Sequence, residues 1–130
     1  GAQNISSILV NSGVATPDMV GSCAGTRWGA SWGGTSGCIL NPWNDQIIVG
    51  SQYGWAGFPS KTNRFEMQID ESKFAVPCAA LLGSLVPQAA AAGLVEYYDG
   101  STTSTASTSA AASTYAGCNG GNYLGLQFQL

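Results

Sequence analysis

The sequence predicts an α+β fold in which an antiparallel β-sheet is flanked by short helices, all within a single domain of 130 residues. Apolar and polar residues alternate with period two in two stretches, Arg64 to Ile69 and Tyr123 to Leu130, which predicts two strands of one sheet. Between these stretches, Pro77 precedes an apolar run that is typical of the first turns of a helix. A disulfide from Cys78 to Cys118 would close the C-terminal region onto the sheet.

Residues 1–20 are predicted to form two short helices. Ile5, Ile8 and Leu9 have the spacing of three and four residues that is typical of an amphipathic helix, and Gly13 would follow its end. Thr16 is then expected to cap a second short helix, because Pro17 suits the first turn.

Residues 21–41 are rich in Gly, Ser and Trp and fit neither the strand period nor the helix period, so they predict an irregular loop with short extended pieces. Trp28 and Trp32 are expected to pack on the sheet. The sharper alternative is an aromatic platform that binds carbohydrate, since Trp combines apolar bulk with a polar edge. Together with Trp43 and Trp55, they form the candidate ligand or assembly surface.

Residues 42–77 should contain the first strands of the sheet. A turn cluster at residues 41–45 leads into a buried strand at residues 46–49, and a hairpin connection at residues 50–63 leads to the return strand. In the return strand, three apolar and three polar side chains lie on opposite faces: Phe65, Met67 and Ile69 against Arg64, Glu66 and Gln68. This alternation predicts a sheet with one wet face.

The disulfide-bounded region spans residues 78–118. The helix at its start is predicted from Val76 to Leu85, and Pro87 either ends it or bends the chain. A third strand is predicted at residues 94–98, with a turn after it. Ser101 to Ser113 is almost wholly Ser, Thr and Ala, which predicts an exposed loop or ribbon, with O-linked sugar as an alternative. The terminal strand, in residues 119–130, is expected to lie at the centre of the sheet.

The four cysteines form no CxxC pair, which favours two disulfides in an oxidising compartment over a metal site. Three pairings are formally open. Cys23–Cys38 and Cys78–Cys118 are preferred because each closes a single local loop. The loop-entropy model assigns these two bridges about 3 and about 4 kcal/mol of stabilisation.

The charge pattern excludes several function classes. The formal net charge is −3, and the four basic residues do not cluster, so no nucleic-acid partner is expected. The chain has no histidine, which removes the commonest general base and metal ligand, and neither a metal nor a cofactor is predicted. Two carboxylates could in principle pair for acid–base hydrolysis of sugars, and the candidates are Asp45, Glu66, Asp70, Glu71, Glu96 and Asp99. Nothing in the sequence groups them, so the protein is not expected to be an enzyme.

Only 8% of the residues are charged, against about 25% in an ordinary globular chain. A weakly charged surface suits a protein that packs against copies of itself, and equally a secreted domain. No signal peptide and no apolar run of about 20 residues is present, and the chain begins Gly1-Ala2-Gln3. We therefore expect a mature or trimmed fragment.

With these elements in place, the chain resembles the globular heads of the type IVb pilins. The resemblance lies in the Ser12 to Val20 segment after a short helix, in Asn41-Pro42-Trp43 before a strand, in the Val76 to Leu82 helix start with its cysteine, and in Cys118 before a terminal strand. The chain departs from the family pattern where Asn44-Asp45 replaces Gly-Gly, and the Cys23–Cys38 pair is additional.

The resemblance implies a structural subunit of a bacterial pilus, which polymerises with copies of itself and other pilins and contributes to adhesion or bundling. The long N-terminal helix of such pilins would be missing, and membrane contact would come only through it. The implied location is extracellular, after the inner membrane. The alternative is a minor, tip-located pilin or a secreted adhesin, whose Trp-rich loop would bind a host-surface or carbohydrate ligand.

Overall fold

The computed structural model describes residues 3–52, 58, 63–73, 77–119 and 121–129, with only the backbone of residue 112. It contains two α-helices, α1 (Ile5–Asn11) and α2 (Cys78–Ala91). The strands are β1 (Gln3–Asn4), β2 (Val20–Gly21), β3 (Cys38–Ile39), β4 (Ile47–Ser51), β5 (Arg64–Asp70), β6 (Leu94–Tyr98), β7 (Thr103–Thr105) and β8 (Tyr123–Gln129). Three 3₁₀ turns lie at Pro17–Met19, Ala30–Trp32 and Ala112–Tyr115. Within these ranges, no helix has the length and apolar character needed to cross a bilayer.

The sheet is antiparallel throughout, which confirms the predicted α+β class. Six strands lie in the order β1-β4-β5-β8-β6-β7, and β2 and β3 form a separate two-stranded sheet. The terminal strand β8 lies between β5 and β6, as predicted from its composition. Its pairing with β5 runs from Arg64 opposite Gln129 to Asp70 opposite Tyr123, so the last strand of the chain holds the two halves of the sheet together.

The predicted helical segment runs from Gln3 to Asn11, whereas α1 begins at Ile5 because Gln3 and Asn4 pair with β4 as strand β1. The helix is also rotated relative to the expected apolar stripe. The Asn4 side chain accepts a hydrogen bond from the Ser7 N–H at 3.1 Å and caps the helix. The buried residues are Ser6 and Val10, whereas Ile8 is 53% exposed. The Ser6 hydroxyl accepts from the Val49 N–H at 2.6 Å and donates to the Val49 carbonyl at 3.2 Å. The Ser6 side chain therefore bonds β4 beyond the end of β1, and this contact orients the helix.

Helix α2 starts at Cys78 with Pro77 as its N-cap and continues through Pro87 to Ala91. The expected start is therefore close, whereas the expected end at Leu85 is wrong. A proline inside a helix removes one backbone hydrogen bond. Leu82 and Val86 are both fully buried against the sheet, and alanines with high helix propensity follow, so tertiary packing carries the helix past the proline. Val76 lies outside the described residues.

Two disulfides fix the loops, and their pairing is the predicted one. Cys23 bonds to Cys38 and Cys78 bonds to Cys118, with Cα atoms 5.2 and 5.9 Å apart. The second bridge ties the start of α2 to the segment before β8. Cys78 belongs to the main hydrophobic cluster, and Cys118 packs against it. The buried members of this cluster are Cys78, Leu82, Val86, Leu94, Tyr97, Tyr115, Leu124 and Leu126.

Two polar segments differ in detail from their predictions. The Thr16 hydroxyl donates to the Asp18 carboxylate at 2.5 Å and makes no cap bond to the backbone, and the second helix is a single 3₁₀ turn. The Ser/Thr/Ala segment is exposed over much of its length, as expected. It also contributes the edge strand β7, which pairs with β6 from Glu96 opposite Thr105 to Tyr98 opposite Thr103.

Candidate functional site

The burial of strand β5 is the reverse of the predicted pattern. Its polar residues Glu66 and Gln68 are 0% and 4% exposed. Its apolar residues Phe65, Met67 and Ile69 are only half-buried. The prediction that the polar face is wet is therefore wrong, and the apolar face is the one left partly open.

The polar face is buried because side chains from neighbouring strands satisfy one another there. The Gln127 amide donates to the Glu66 carboxylate at 3.0 Å, and the Arg64 guanidinium donates to the Gln127 carbonyl oxygen at 2.6 Å. Phe58, 3% exposed, lies over Gly125 on the same face, where an added Cβ would lie 3.1 Å from the ring. Hydrogen bonding within this network makes burial of the polar face tolerable.

The apolar face is covered by a helix at each side. Ile47, Val49 and Ser51 of β4 lie opposite Ile69, Met67 and Phe65 of β5. Phe65 in turn stacks on Phe128 of β8, with ring centroids 5.0 Å apart. Helix α2 packs over β6 and β8, and α1 packs over β4. Strand β5, between these regions, keeps its apolar side chains half-exposed.

This uncovered strip forms the apolar groove, which is the candidate functional site. The groove has a volume of about 420 Å³ and is lined by Ile5, Leu9, Val49, Ser51, Phe65 and Met67. A second recess of about 170 Å³ shares Leu9, Val49 and Met67 with it and extends to Val14, Ala15, Met19, Ile39 and Ile47. None of these lining residues carries a charge, so the groove suits an apolar occupant.

The surroundings of the groove are apolar as well. Val14 and Met19, which line the recess, are 67% and 42% exposed. Large apolar side chains that cluster on a surface mark an interaction site more often than scattered ones do. Sequence reasoning missed this groove, because the alternation in β5 does not reveal which face is covered.

The tryptophans of the predicted ligand surface lie in separate elements. Trp28 is half-buried, and its ring meets Tyr123 of β8 edge-on with centroids 5.7 Å apart. The Arg27 guanidinium lies over both rings, 5.0 Å from the Tyr123 centroid and 5.8 Å from the Trp28 centroid. Trp32 is half-buried in a 3₁₀ turn, and Trp43 is 38% exposed in the turn before β4. Trp55 lies outside the described residues.

A cleft of mixed character lies next to the Trp43 turn. It has a volume of about 490 Å³, and its lining combines Asp18 and Asn44 with apolar residues such as Met19, Leu40 and Ile47. A neighbouring recess of about 320 Å³ shares Asn44 with it and reaches Lys73. Asn44 has a φ of 63°, in the left-handed region that only a few residue types tolerate. The cleft therefore offers one amide and one carboxylate on a largely apolar lining, and the exposed Trp43 lies in the adjoining turn.

Most of the six candidate catalytic carboxylates have structural partners. Asp45 accepts the Lys73 N–H at 2.7 Å, and Asp70 lies 3.4 Å from the Arg27 guanidinium. Asp99 accepts backbone N–H groups in the turn after β6. Glu71 differs, because neither of its carboxyl oxygens has a hydrogen-bond partner among the described residues and because it lies, 2% exposed, beside the disulfide at the start of α2. Its local sequence, between Asp70 and Ser72, does not separate it from an ordinary turn carboxylate.

Within the described part of the chain, one group of three potential metal ligands comes together: Glu71, Cys78 and Cys118. The two sulfur atoms are bonded to each other, so they are not available to bind a metal as thiolates.

No protein-family model, no curated protein and no solved structure matches this chain. Function is therefore inferred from the residues and their geometry.

Proposed function

We propose that this domain is the globular head of a structural subunit of a type IVb-like bacterial pilus, in which the apolar groove is a subunit-assembly surface. The single observation that carries the proposal is the reversed burial of β5, where Glu66 is buried and Phe65 and Met67 are left half-exposed. A domain that functions alone gains nothing from exposing the apolar face of its own sheet.

The apolar lining of the groove suits the apolar side of a helix. The groove runs between α1 and strand β5, and its lining residues carry no charge. The resemblance to pilins implies a long N-terminal helix that forms the fibre core, and such a helix supplies an apolar stripe of suitable width. Fully burying an exposed Leu, Phe or Met side chain contributes about 1.5–3 kcal/mol, and completing the burial of a half-buried one contributes part of this, so several such contacts together stabilise an assembly.

The proposal is tested with two neighbouring residues of α1. Leu9 lines both parts of the groove, whereas Ile8 is more exposed and lines neither. In cells that produce the full-length protein with its assembly machinery, Leu9→Gln should reduce the amount of subunit in purified filaments at least about tenfold, which corresponds to about 1.4 kcal/mol. Ile8→Gln is the matched control and should leave incorporation close to wild type. Absence of the wild-type protein from filaments would reject the proposal.

A tip-located or secreted adhesin is the second candidate, and the cleft next to the Trp43 turn favours it. Asp18 and Asn44 line the cleft and the exposed Trp43 lies in the adjoining turn, and stacking on an aromatic ring together with amide and carboxylate hydrogen bonds is suited to sugar recognition. Glycan-array binding that is lost in Trp43→Ala and in Asn44→Gly would support this candidate. Trp28→Ala is the comparison variant, since Trp28 packs on Tyr123 instead.

A further inference from the structure

The carboxyl group of Glu71 occupies an unusual position for an acidic side chain. It is 2% exposed, and neither of its oxygens has a hydrogen-bond partner among the described residues. Its backbone N–H donates to the Asn122 carbonyl at 3.0 Å, which holds the residue beside the start of β8. A carboxyl oxygen lies within 4.8 Å of the sulfur atoms of both Cys78 and Cys118. An ionisable group buried without a partner is costly, so its retention here calls for a chemical role.

The two cysteines of this disulfide differ in their position relative to α2 and in their exposure, and this difference suits thiol–disulfide exchange. Cys78 is the first residue of α2, a helix of 14 residues, and it is 6% exposed. The N-terminus of a helix stabilises a thiolate, which makes Cys78 a good leaving group. Cys118 is half-buried and is the more accessible of the two, so an external thiol would reach it first.

We propose that Cys78–Cys118 is a thiol–disulfide exchange site in which Glu71 is the proton donor and acceptor. In reduction, the thiolate of an external thiol attacks the Cys118 sulfur, and the Cys78–Cys118 bond breaks. Cys78 leaves with the electron pair and takes the proton from the Glu71 carboxylic acid. A second external thiolate then attacks the external sulfur of the mixed disulfide and releases Cys118 as a thiolate, which is protonated by solvent. Two external thiols become one external disulfide, and the protein gains two thiols.

Oxidation runs through the same atoms in reverse. The Cys118 thiolate attacks an external disulfide, and one external thiolate leaves. The Cys78 thiol gives its proton to the Glu71 carboxylate and attacks the Cys118 sulfur of the mixed disulfide, which expels the second external thiolate. The carboxyl oxygen lies within 4.8 Å of both sulfur atoms, and the proton passes when the S–S bond is open and the Cys78 sulfur has moved within hydrogen-bond distance of the carboxyl group.

The electrostatics around Glu71 suit both directions. Burial, together with the neighbouring charges of Asp70 and Asp99, raises the pKa of Glu71 from 4.5 to about 7. Arg27 faces Asp70 at 3.4 Å and partly offsets that charge. A group with a pKa near neutrality serves both as acid and as base.

The other disulfide is a control within the same molecule. Cys38 is fully buried, and its sulfur accepts a hydrogen bond from the Gln46 amide at 3.2 Å. Within the described ranges, the only clustering of a carboxyl group with two cysteine sulfurs is the one at Glu71. Proton transfer by a carboxyl group is therefore expected at Cys78–Cys118 and not at Cys23–Cys38.

The test measures how fast reduced glutathione opens each disulfide from about pH 5 to about pH 9, by alkylation and mass spectrometry, with each rate divided by the glutathione thiolate concentration. In the wild-type protein, the corrected rate at Cys78–Cys118 should fall about tenfold as the pH rises through about 7, because Glu71 loses its proton. In Glu71→Gln the rate should stay at the lower level at every pH. The rate at Cys23–Cys38 should be the same in both proteins.

A second variant distinguishes proton transfer from a merely structural role. Asp99→Asn keeps the side-chain oxygen that accepts the turn N–H groups but removes a charge that raises the pKa of Glu71. The pH at which the corrected rate falls should therefore move down, with the low-pH rate unchanged. The proposal is overturned if Glu71→Gln keeps the wild-type pH profile, or if it accelerates reduction of both disulfides alike, since the latter shows an effect through stability only.

Discussion

The two halves of the apolar sheet face differ in how far they are covered. Over β6 and β8, helix α2 buries Leu82, Val86 and Leu124 completely, and the Cys78–Cys118 bridge ties the helix start to the segment before β8. Over β4 and β5, the seven-residue helix α1 leaves Phe65 and Met67 half-exposed beside the apolar groove. The apolar face is therefore fully covered over β6 and β8, and it is only partly covered over β5.

We expect the covered half to determine the stability of the isolated domain and the open half to determine its assembly with partners. The covered half can stabilise the isolated domain, because its apolar area is already removed from water. The open half contributes less to the domain alone, and its remaining apolar area is available to a partner. Variants in the covered half should therefore lower the free energy of unfolding, whereas variants in the open half should mainly change binding.

The largest effect is expected from removing the bridge that closes the covered half. Replacing Cys78 and Cys118 together with Ala frees a loop of 40 residues in the unfolded chain, which should cost about 4 kcal/mol. The same change at Cys23 and Cys38 frees 15 residues and should cost about 3 kcal/mol. Urea denaturation of both double variants measures this. A smaller loss at Cys78–Cys118 than at Cys23–Cys38 would show that the covered half does not depend on its bridge.

A matched pair of leucines compares the two halves directly. Leu82→Ala in α2 removes a fully buried side chain and should lower the free energy of unfolding by about 3 kcal/mol. Leu9→Ala in α1 removes a half-buried side chain at the groove and should cost about 1 kcal/mol. Both values come from urea denaturation under the same conditions. Equal losses would mean that the groove half is as complete as the α2 half, and the comparison would fail.

Glu71 introduces a pH dependence into the covered half. Because burial raises its pKa from 4.5 to about 7, the native state holds a proton that the unfolded state releases between these values. This contribution to stability is therefore full below about pH 4.5 and is lost as the pH rises to about 7. We expect a loss on the order of 2 kcal/mol in the wild-type protein relative to Glu71→Gln.

Denaturant midpoints of both proteins at low and at neutral pH check the effect of Glu71. The difference between wild type and Glu71→Gln isolates this group, since all other titrating residues are shared. If that difference does not change with pH, the Glu71 carboxyl has an ordinary pKa in the folded protein.

The smallest effect is expected at Ile8, next to the groove. Ile8→Gln replaces a side chain that is 53% exposed and should change the free energy of unfolding by no more than about 0.5 kcal/mol. Thermal or urea denaturation is sufficient to measure it. A loss above about 1.5 kcal/mol would place Ile8 in the core of the isolated domain, contrary to the orientation of α1 set by Ser6.

Several elements were predictable because their signals are local. The alternation in β5 and β8, the helix start at Pro77 and the loop lengths between cysteines each concern residues close in sequence. Burial was not predictable in the same way. Glu66 is buried because Gln127, 61 residues away, donates to it, and Ser6 is buried because it bonds Val49 across 43 residues. Neither hydrogen bond can be predicted from the pattern of apolar and polar residues along one segment.

The amino-acid sequence by itself determined that β4, β5, β6 and β8 would be strands, that a helix would start near Pro77, that β8 would be a central strand, and that local cysteine pairing was preferred. These follow from periodicity, from the conformational limits of Pro and Gly, and from loop entropy. Tertiary structure alone decided which face of β5 is covered, that α2 continues past Pro87, and that Glu71 lies against a disulfide. The physical reason is that covering a face or desolvating a carboxyl depends on atoms brought from distant parts of the chain.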